Sequence, residues 1–185
     1  MDDGTIIALF HERSEQAIAE LDRKYGAIVK KTAANILNNR NDVEECVNDA
    51  YLGVWNSIPP QNPDPLISYV CKITRNLAAK KYHSSTAQKR NGRYDLVLDE
   101  LSECIPSPAD VESDYAAGEL SAAISRFLDT IPYEDRFFFV RRYFFADAVS
   151  DIAARTGSGD HRISVHLFRT RKKLWKHLKE EGYLE

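Results

Sequence analysis

Arg162, His166, Arg169 and Lys173 recur at i, i+4, i+7 and i+11. On a helix that spacing sets them along one side. Ile163, Leu167, Thr170 and Leu174 repeat the same intervals one residue later and make a second, apolar side. The chemistry open to a row of cations is recognition: charge for phosphates and N–H donors for base edges. The segment before it is short and small-sided, with Ile152 and Ala153 turned inward. Gly157 suits the left-handed residue that ends a helix. Gly159 suits a tight turn, and Ser158 or Asp160 can cap the helix that follows. A short helix, a glycine-marked turn and a basic amphipathic helix together describe a helix-turn-helix, whose second helix enters the major groove. A solvated charge run on a surface helix is the plainer alternative. The turn chemistry favours nucleic acid, as do eight bases against one acid over residues 155–179.

The composition limits what else the chain could be. It has 185 residues and a net charge of −3, so any nucleic-acid contact rests on how charge is distributed. Cys46, Cys71 and Cys104 form no CxxC pair and are odd in number, against a disulfide framework or a zinc site. No signal-peptide pattern and no apolar run of about 18 residues is present, so a cytoplasmic protein is expected. HExxH, GxxxxGK[ST] and GxSxG are all absent, and Asp160-His161 reads as a cap beside a DNA-facing residue. No enzyme, cofactor or metal is expected.

The elements that must hold these residues read as all-α. Glycines and prolines are few, and apolar residues recur at helical spacing. Helices are expected over 5–22, 25–38, 42–57 and 66–83, with Asn38, Asn39 and Asn41 offering caps to the third. That third helix carries Asp42, Glu44 and Glu45 in its first turn, where the macrodipole favours acids. Glu45, Asn48 and Asp49 lie off its apolar face of Val43, Val47, Ala50, Val54 and Ile58. Pro59, Pro60, Pro63 and Pro65 interrupt the helices. Residues 68–90 then hold six bases and no acid (Lys72, Arg75, Lys80, Lys81, Lys89, Arg90), interleaved with Tyr69, Tyr82 and His83. Stacking rings beside cations suit single-stranded nucleic acid. An anionic membrane or an acidic protein would suit them too.

Residues 91–118 hold seven acids and one base, with Pro106 and Pro108. An extended acidic linker is expected, with a short helix near 95–103. A second basic module follows from Glu119. In it Phe127 and Leu128 face inward, Pro132 opens a helix, and Phe139, Val140 and Tyr143 fill a core. The expected plan is two small helical domains, 1–90 and 119–185, joined by a flexible acidic linker over 91–118.

Two blocks of motifs carry a resemblance. The first is Tyr25-Gly26, then Asp42-x-x-Glu45-x-x-x-Asp49 and Trp55, then Tyr69-x-x-x-Ile73-x-Arg75-Asn76-Leu77-Ala78. The second is Leu128-x-x-Ile131-Pro132-x-x-x-Arg136, Tyr143-Phe144, Ile152-Ala153, Gly157, Ile163 to Leu167, and Arg169-Thr170-Arg171-Lys172-Lys173-Leu174. In this order, across an acidic linker, they resemble the extracytoplasmic-function (ECF) sigma factors of bacterial RNA polymerase, over nearly the whole chain. The first block resembles region 2 and the second region 4. The resemblance implies that Asp42, Glu45, Asn48, Asp49 and Trp55 dock on the clamp helices of the polymerase largest subunit. Arg75, Asn76, Lys80, Lys81, Tyr82 and His83 would engage the −10 element and its melted strand. Arg162, Ser164, His166 and Arg169 would read the −35 element, while Arg171, Lys172 and Lys173 would meet phosphates. Core RNA polymerase (clamp helices and flap), promoter DNA and an anti-sigma factor are the implied partners. Lys80, Gly159 and His161 depart from residues common in the family. The other reading is a stand-alone helix-turn-helix regulator with an N-terminal sensing or dimerising domain, which would have no use for the Asp42–Trp55 face.

Overall fold

The computed structural model describes residues 1–85, 92–106 and 114–184. Lys89 and Arg90 of the basic run, and Pro108, Asp110 and Glu112 of the acidic stretch, lie outside the described residues. Among the described residues the chain has nine α-helices, one π-helical turn and no strand, so the all-α expectation holds. None of those helices is long and apolar enough to cross a membrane. The chain divides into two compact units, Met1–Gly92 and Arg93–Glu185.

The first unit holds α1 (Asp3–His11), α2 (Gln16–Ile36), α3 (Arg40–Ser57) and α4 (Leu66–Ser85). The two helices expected over 5–22 and 25–38 are divided elsewhere. The break falls just past α1, where Arg13 takes a left-handed φ of 56°. Residues 22–25 continue one helix instead, because Ala17, Leu21, Val29, Thr32 and Ile36 keep a single buried face across them. Gly26 sits inside that helix for a steric reason. A Cβ there would stand 2.4 Å from Asp22 Oδ1. That oxygen accepts the Tyr51 hydroxyl proton at 2.7 Å, joining α2 to α3.

Asn39 caps α3, its side-chain oxygen accepting from Asn41 N at 2.9 Å, as the asparagine cluster suggested. Cys46, Val47, Ala50, Tyr51 and Val54 form the inner face of α3. Val43, expected there, is only partly covered. Leu66, Val70, Cys71, Thr74 and Ala78 of α4 close the core. Thr74 meets its polar requirement by donating to Val70 O at 2.8 Å. Burial pushes the Cys46 thiol up to about 11, which keeps it protonated and unreactive.

The second unit holds α5 (Arg93–Ser102), α6 (Asp114–Thr130), α7 (Tyr133–Phe139), a π turn (Val140–Phe144), α8 (Val149–Thr156) and α9 (Asp160–Glu180). The short helix expected near 95–103 in the acidic stretch forms as α5 and lies in this unit, with Tyr94, Val97 and Cys104 buried. Its carboxylate Glu100 accepts from Arg142 Nη2 at 2.6 Å, Arg142 Nε at 3.2 Å and the Tyr143 hydroxyl at 2.9 Å. Arg171 of α9 donates to the Tyr143 oxygen at 2.6 Å and stands 3.5 Å from Glu100. Arg142 is 5% exposed and also donates to Asp147 O at 3.1 Å. Ala146, wholly buried at φ 53°, turns the chain so that Asp147 meets Arg141 Nε at 2.6 Å. This network corrects the reading of Arg171 as a phosphate contact. Its side chain is 14% exposed and faces Glu100, Glu103 and Tyr143.

Burial alone would raise the Glu100 carboxyl, but bonds and charge from Arg142, the Tyr143 hydroxyl and the Arg171 charge outweigh it and hold it below its ordinary value. A depressed carboxylate stabilises the fold above the ordinary glutamate range, and that stability is lost as pH falls through the depressed value. Glu100→Gln should therefore cost about 2 kcal/mol near pH 7, where a buried cation loses its counter-charge. Urea unfolding at pH 7 and again near pH 3 tests this. The gap between wild type and variant should narrow in acid.

Candidate functional site

Three surfaces gather the residues singled out by the sequence. The first is the outer side of α3, where Glu45, Asn48 and Asp49 are exposed and Asp42 is partly so. It meets the basic helix directly. Lys81 of α4 lies 3.1 Å from Asp42 Oδ1 and 2.5 Å from Glu45 Oε2. The hydrogen bond to Glu45 is the main reason the Lys81 ammonium is raised above its ordinary pKa. A cation expected on the DNA side therefore neutralises two acids expected on the docking side. Trp55 is partly buried, with the Arg13 guanidinium 5.4 Å from its ring and Arg13 Nη1 donating to its carbonyl at 2.5 Å. It borders an open groove of about 760 Å³ between α2 and α3, shared with Asp22, Asn48, Tyr51 and Leu52. Leu52 is 57% exposed there, an apolar residue that the acidic reading of α3 passed over.

The second surface is α4. Asn76, Lys80 and His83 are exposed and Arg75 is half-buried. Tyr82 is only 6% exposed, so its ring belongs to the core and not to an open stacking platform. Position explains this. Tyr82 continues the buried series of Cys71, Thr74 and Ala78 at helical spacing.

The third surface is the helix-turn-helix. Gly157 takes φ 67°, ψ 14° and ends α8 in the left-handed region, as expected. Gly159 does not need that freedom. It is extended at φ −77°, ψ 146° and occupies the N-cap of α9, where neither Ser158 nor Asp160 serves as a cap. The inner face of α9 is Ile163, Leu167, Thr170, Leu174 and Leu178, all buried. Arg162, Ser164, Arg169, Lys172 and Lys173 are exposed, and His166 is partly covered.

Part of the basic row leans on α7. Arg162 pairs with Glu134, and His166 with Asp135. These acids lie about thirty positions upstream. No local periodicity links them to α9, so nothing in the sequence signalled them. Phe168 was also missed. It is 48% exposed, with the Lys172 ammonium 4.6 Å from its ring.

Residues 21–88 match the family described as Sigma-70 region 2. This span takes in most of α2, all of α3 and α4, and so both surfaces of the first unit. No curated protein matches the chain. Among solved structures, that of CnrH in complex with the cytosolic domain of CnrY is similar at 18% identity, spanning 97% of this chain and 99% of that one with a TM-score of 0.45. Residues 21–88 are thus similar to the region 2 segment of sigma-70 proteins. That agrees with the region 2 resemblance read from the first block of motifs.

The two glycines of the turn make opposite predictions. Gly157→Ala should destabilise the second unit by about 1 kcal/mol, since a Cβ is disfavoured at positive φ even with open space around it. Gly159→Ala meets nothing within 4 Å and has ordinary dihedrals, so its thermal unfolding should match wild type closely.

Proposed function

We propose that the chain is a dissociable promoter-specificity subunit of the ECF kind, which binds core RNA polymerase and directs initiation by reading −10 and −35 elements. The observation that carries this is the fall of the region 2 match on three helices of the first unit, α2 to α4, where the acidic outer side of α3 lies beside the basic helix α4. The outer side of α3, with Asp49 and the Leu52–Trp55 groove, supplies acids and apolar surface for the basic clamp helices of the largest subunit. Arg75, Asn76, Lys80 and His83 supply cations and hydrogen-bond donors for a melted strand. Lys81 joins them when its acids are otherwise engaged. In the second unit α9 reads the −35 element, with Arg169 exposed at its middle and Lys172 and Lys173 meeting phosphates. The polymerase flap and an anti-sigma factor are further proposed partners. A domain division near residue 90, with the acidic residues on the C-terminal side, is part of this reading.

Energetics favours a two-site reader. Extruding a base costs a few kcal/mol, which contacts to the freed base must offset. Two weak sites on one chain gain from effective concentration once both targets stand at the right spacing. A stand-alone repressor would leave region 2 without a role.

The test is co-purification with bacterial core RNA polymerase, followed by transcription on a library of genomic fragments. Stable association and new start sites sharing a two-part motif are expected. Duplex binding without polymerase association would refute the proposal. Asp49→Lys should weaken association about tenfold or more while leaving circular dichroism and melting unchanged, because a like charge then faces a basic partner.

A further inference from the structure

His166 is gripped on two sides. Its Nδ1 stands 2.5 Å from Asp135 Oδ1, and its ring meets Phe138 edge-on at 5.6 Å. The Asp135 side chain is 13% exposed and that of His166 is 26% exposed. Lys173 Nζ, two helical turns further on, lies 4.0 Å from the other Asp135 oxygen. Neighbouring Arg162 is held in a related way, its Nη2 donating to both Glu134 oxygens at 2.8 and 3.0 Å.

A carboxylate accepts and cannot donate, so the nitrogen facing it carries the proton. In a neutral imidazole only one nitrogen is protonated, and the other is then a bare acceptor. With Nδ1 occupied by Asp135, the acceptor is Nε2. In the major groove an acceptor pairs with the amino group of adenine or cytosine, whereas guanine N7 and O6 demand a donor. A histidine without such a partner can change tautomer to suit either kind of edge, and so discriminates less.

We infer that Asp135 is a positioning residue for promoter reading: through its contact with Nδ1 it presents His166 Nε2 as an acceptor for an adenine or cytosine amino group in the upstream element. This rests on the proposal that α9 reads that element. Asp135 touches no DNA in the scheme. It acts by fixing the tautomer and the plane of a residue that does.

The test uses the full chain with bacterial core RNA polymerase at about pH 8, above the ordinary histidine range. Transcription is sequenced from a promoter library with a randomised upstream element. Asp135→Ala should flatten the preference for adenine or cytosine at one position by about fivefold or more. Asp135→Asn should retain it, because the amide oxygen still accepts from Nδ1–H. His166→Ala should flatten the same position, and adding Asp135→Ala to it should change nothing further. An unaltered profile for Asp135→Ala, or an equal loss on every sequence, overturns the inference. Arg169→Ala separates the two levels of the argument. If it and His166→Ala both leave the profile untouched, the assignment of α9 is at fault. If they alter it and Asp135→Ala does not, only the role of Asp135 fails. Nitrogen-15 NMR of the full chain at the same pH reads the tautomer without any variant: a proton on Nδ1 is expected, and a proton on Nε2 refutes the inference.

Discussion

A single carboxylate, Glu100, sets the architecture of the second unit. It is the counter-charge for Arg142, which is nearly sealed from solvent, and it binds the Tyr143 hydroxyl that in turn receives Arg171. Three elements distant in the chain, α5, the π turn and α9, meet at this point. An apolar contact would tolerate sliding by a residue. A set of directional bonds around one buried cation does not, since each misplaced donor is left without an acceptor in a medium that penalises it. The rotation of α9 about its own axis is fixed by this cluster on one flank and by Glu134 and Asp135 on another. The side that faces outward is thereby defined before any DNA is present.

Acids matched to cations recur through both units. Lys81 stands between Asp42 and Glu45, Arg171 beside Glu100 and Glu103, and Arg162 against Glu134. The net charge of −3 reflects 28 acids against 25 bases and does not mean an absence of basic surfaces. Each pair lowers the long-range attraction to phosphate and leaves short-range, directional contacts with more weight in deciding where the protein binds. That balance suits the proposed role, in which choosing among sites matters more than holding any of them.

Much of this was legible in the sequence. The helix-turn-helix was, because Gly157 and the Ile163–Leu167–Thr170–Leu174 series are local signals that need no knowledge of the rest of the fold. The inner face of α3 and its asparagine cap were readable for the same reason. The boundary between α1 and α2 was not, because no glycine or proline marks it and the left-handed residue there is an arginine. Tyr82 was misplaced by composition, since an aromatic among lysines suggests a stacking surface while its register buries it. The roles of Glu100, Glu134 and Asp135 were invisible for a different reason. They are set by partners about thirty to seventy positions away, and acidic residues in a charged segment look solvated until the fold brings a cation to them.

The clasp of Lys81 by Asp42 and Glu45 has a consequence for how docking would register in solution. A basic partner arriving on α3 finds two of its acids already matched, so it exchanges one cation for another. Such an exchange leaves the number of ion pairs almost unchanged at those positions. The ionic-strength dependence of association then counts only charges that were solvated beforehand, and it understates how many lie in contact. In the proposed scheme the displaced ammonium would emerge on α4 at the moment of exchange, so one binding event would release a cation for the next.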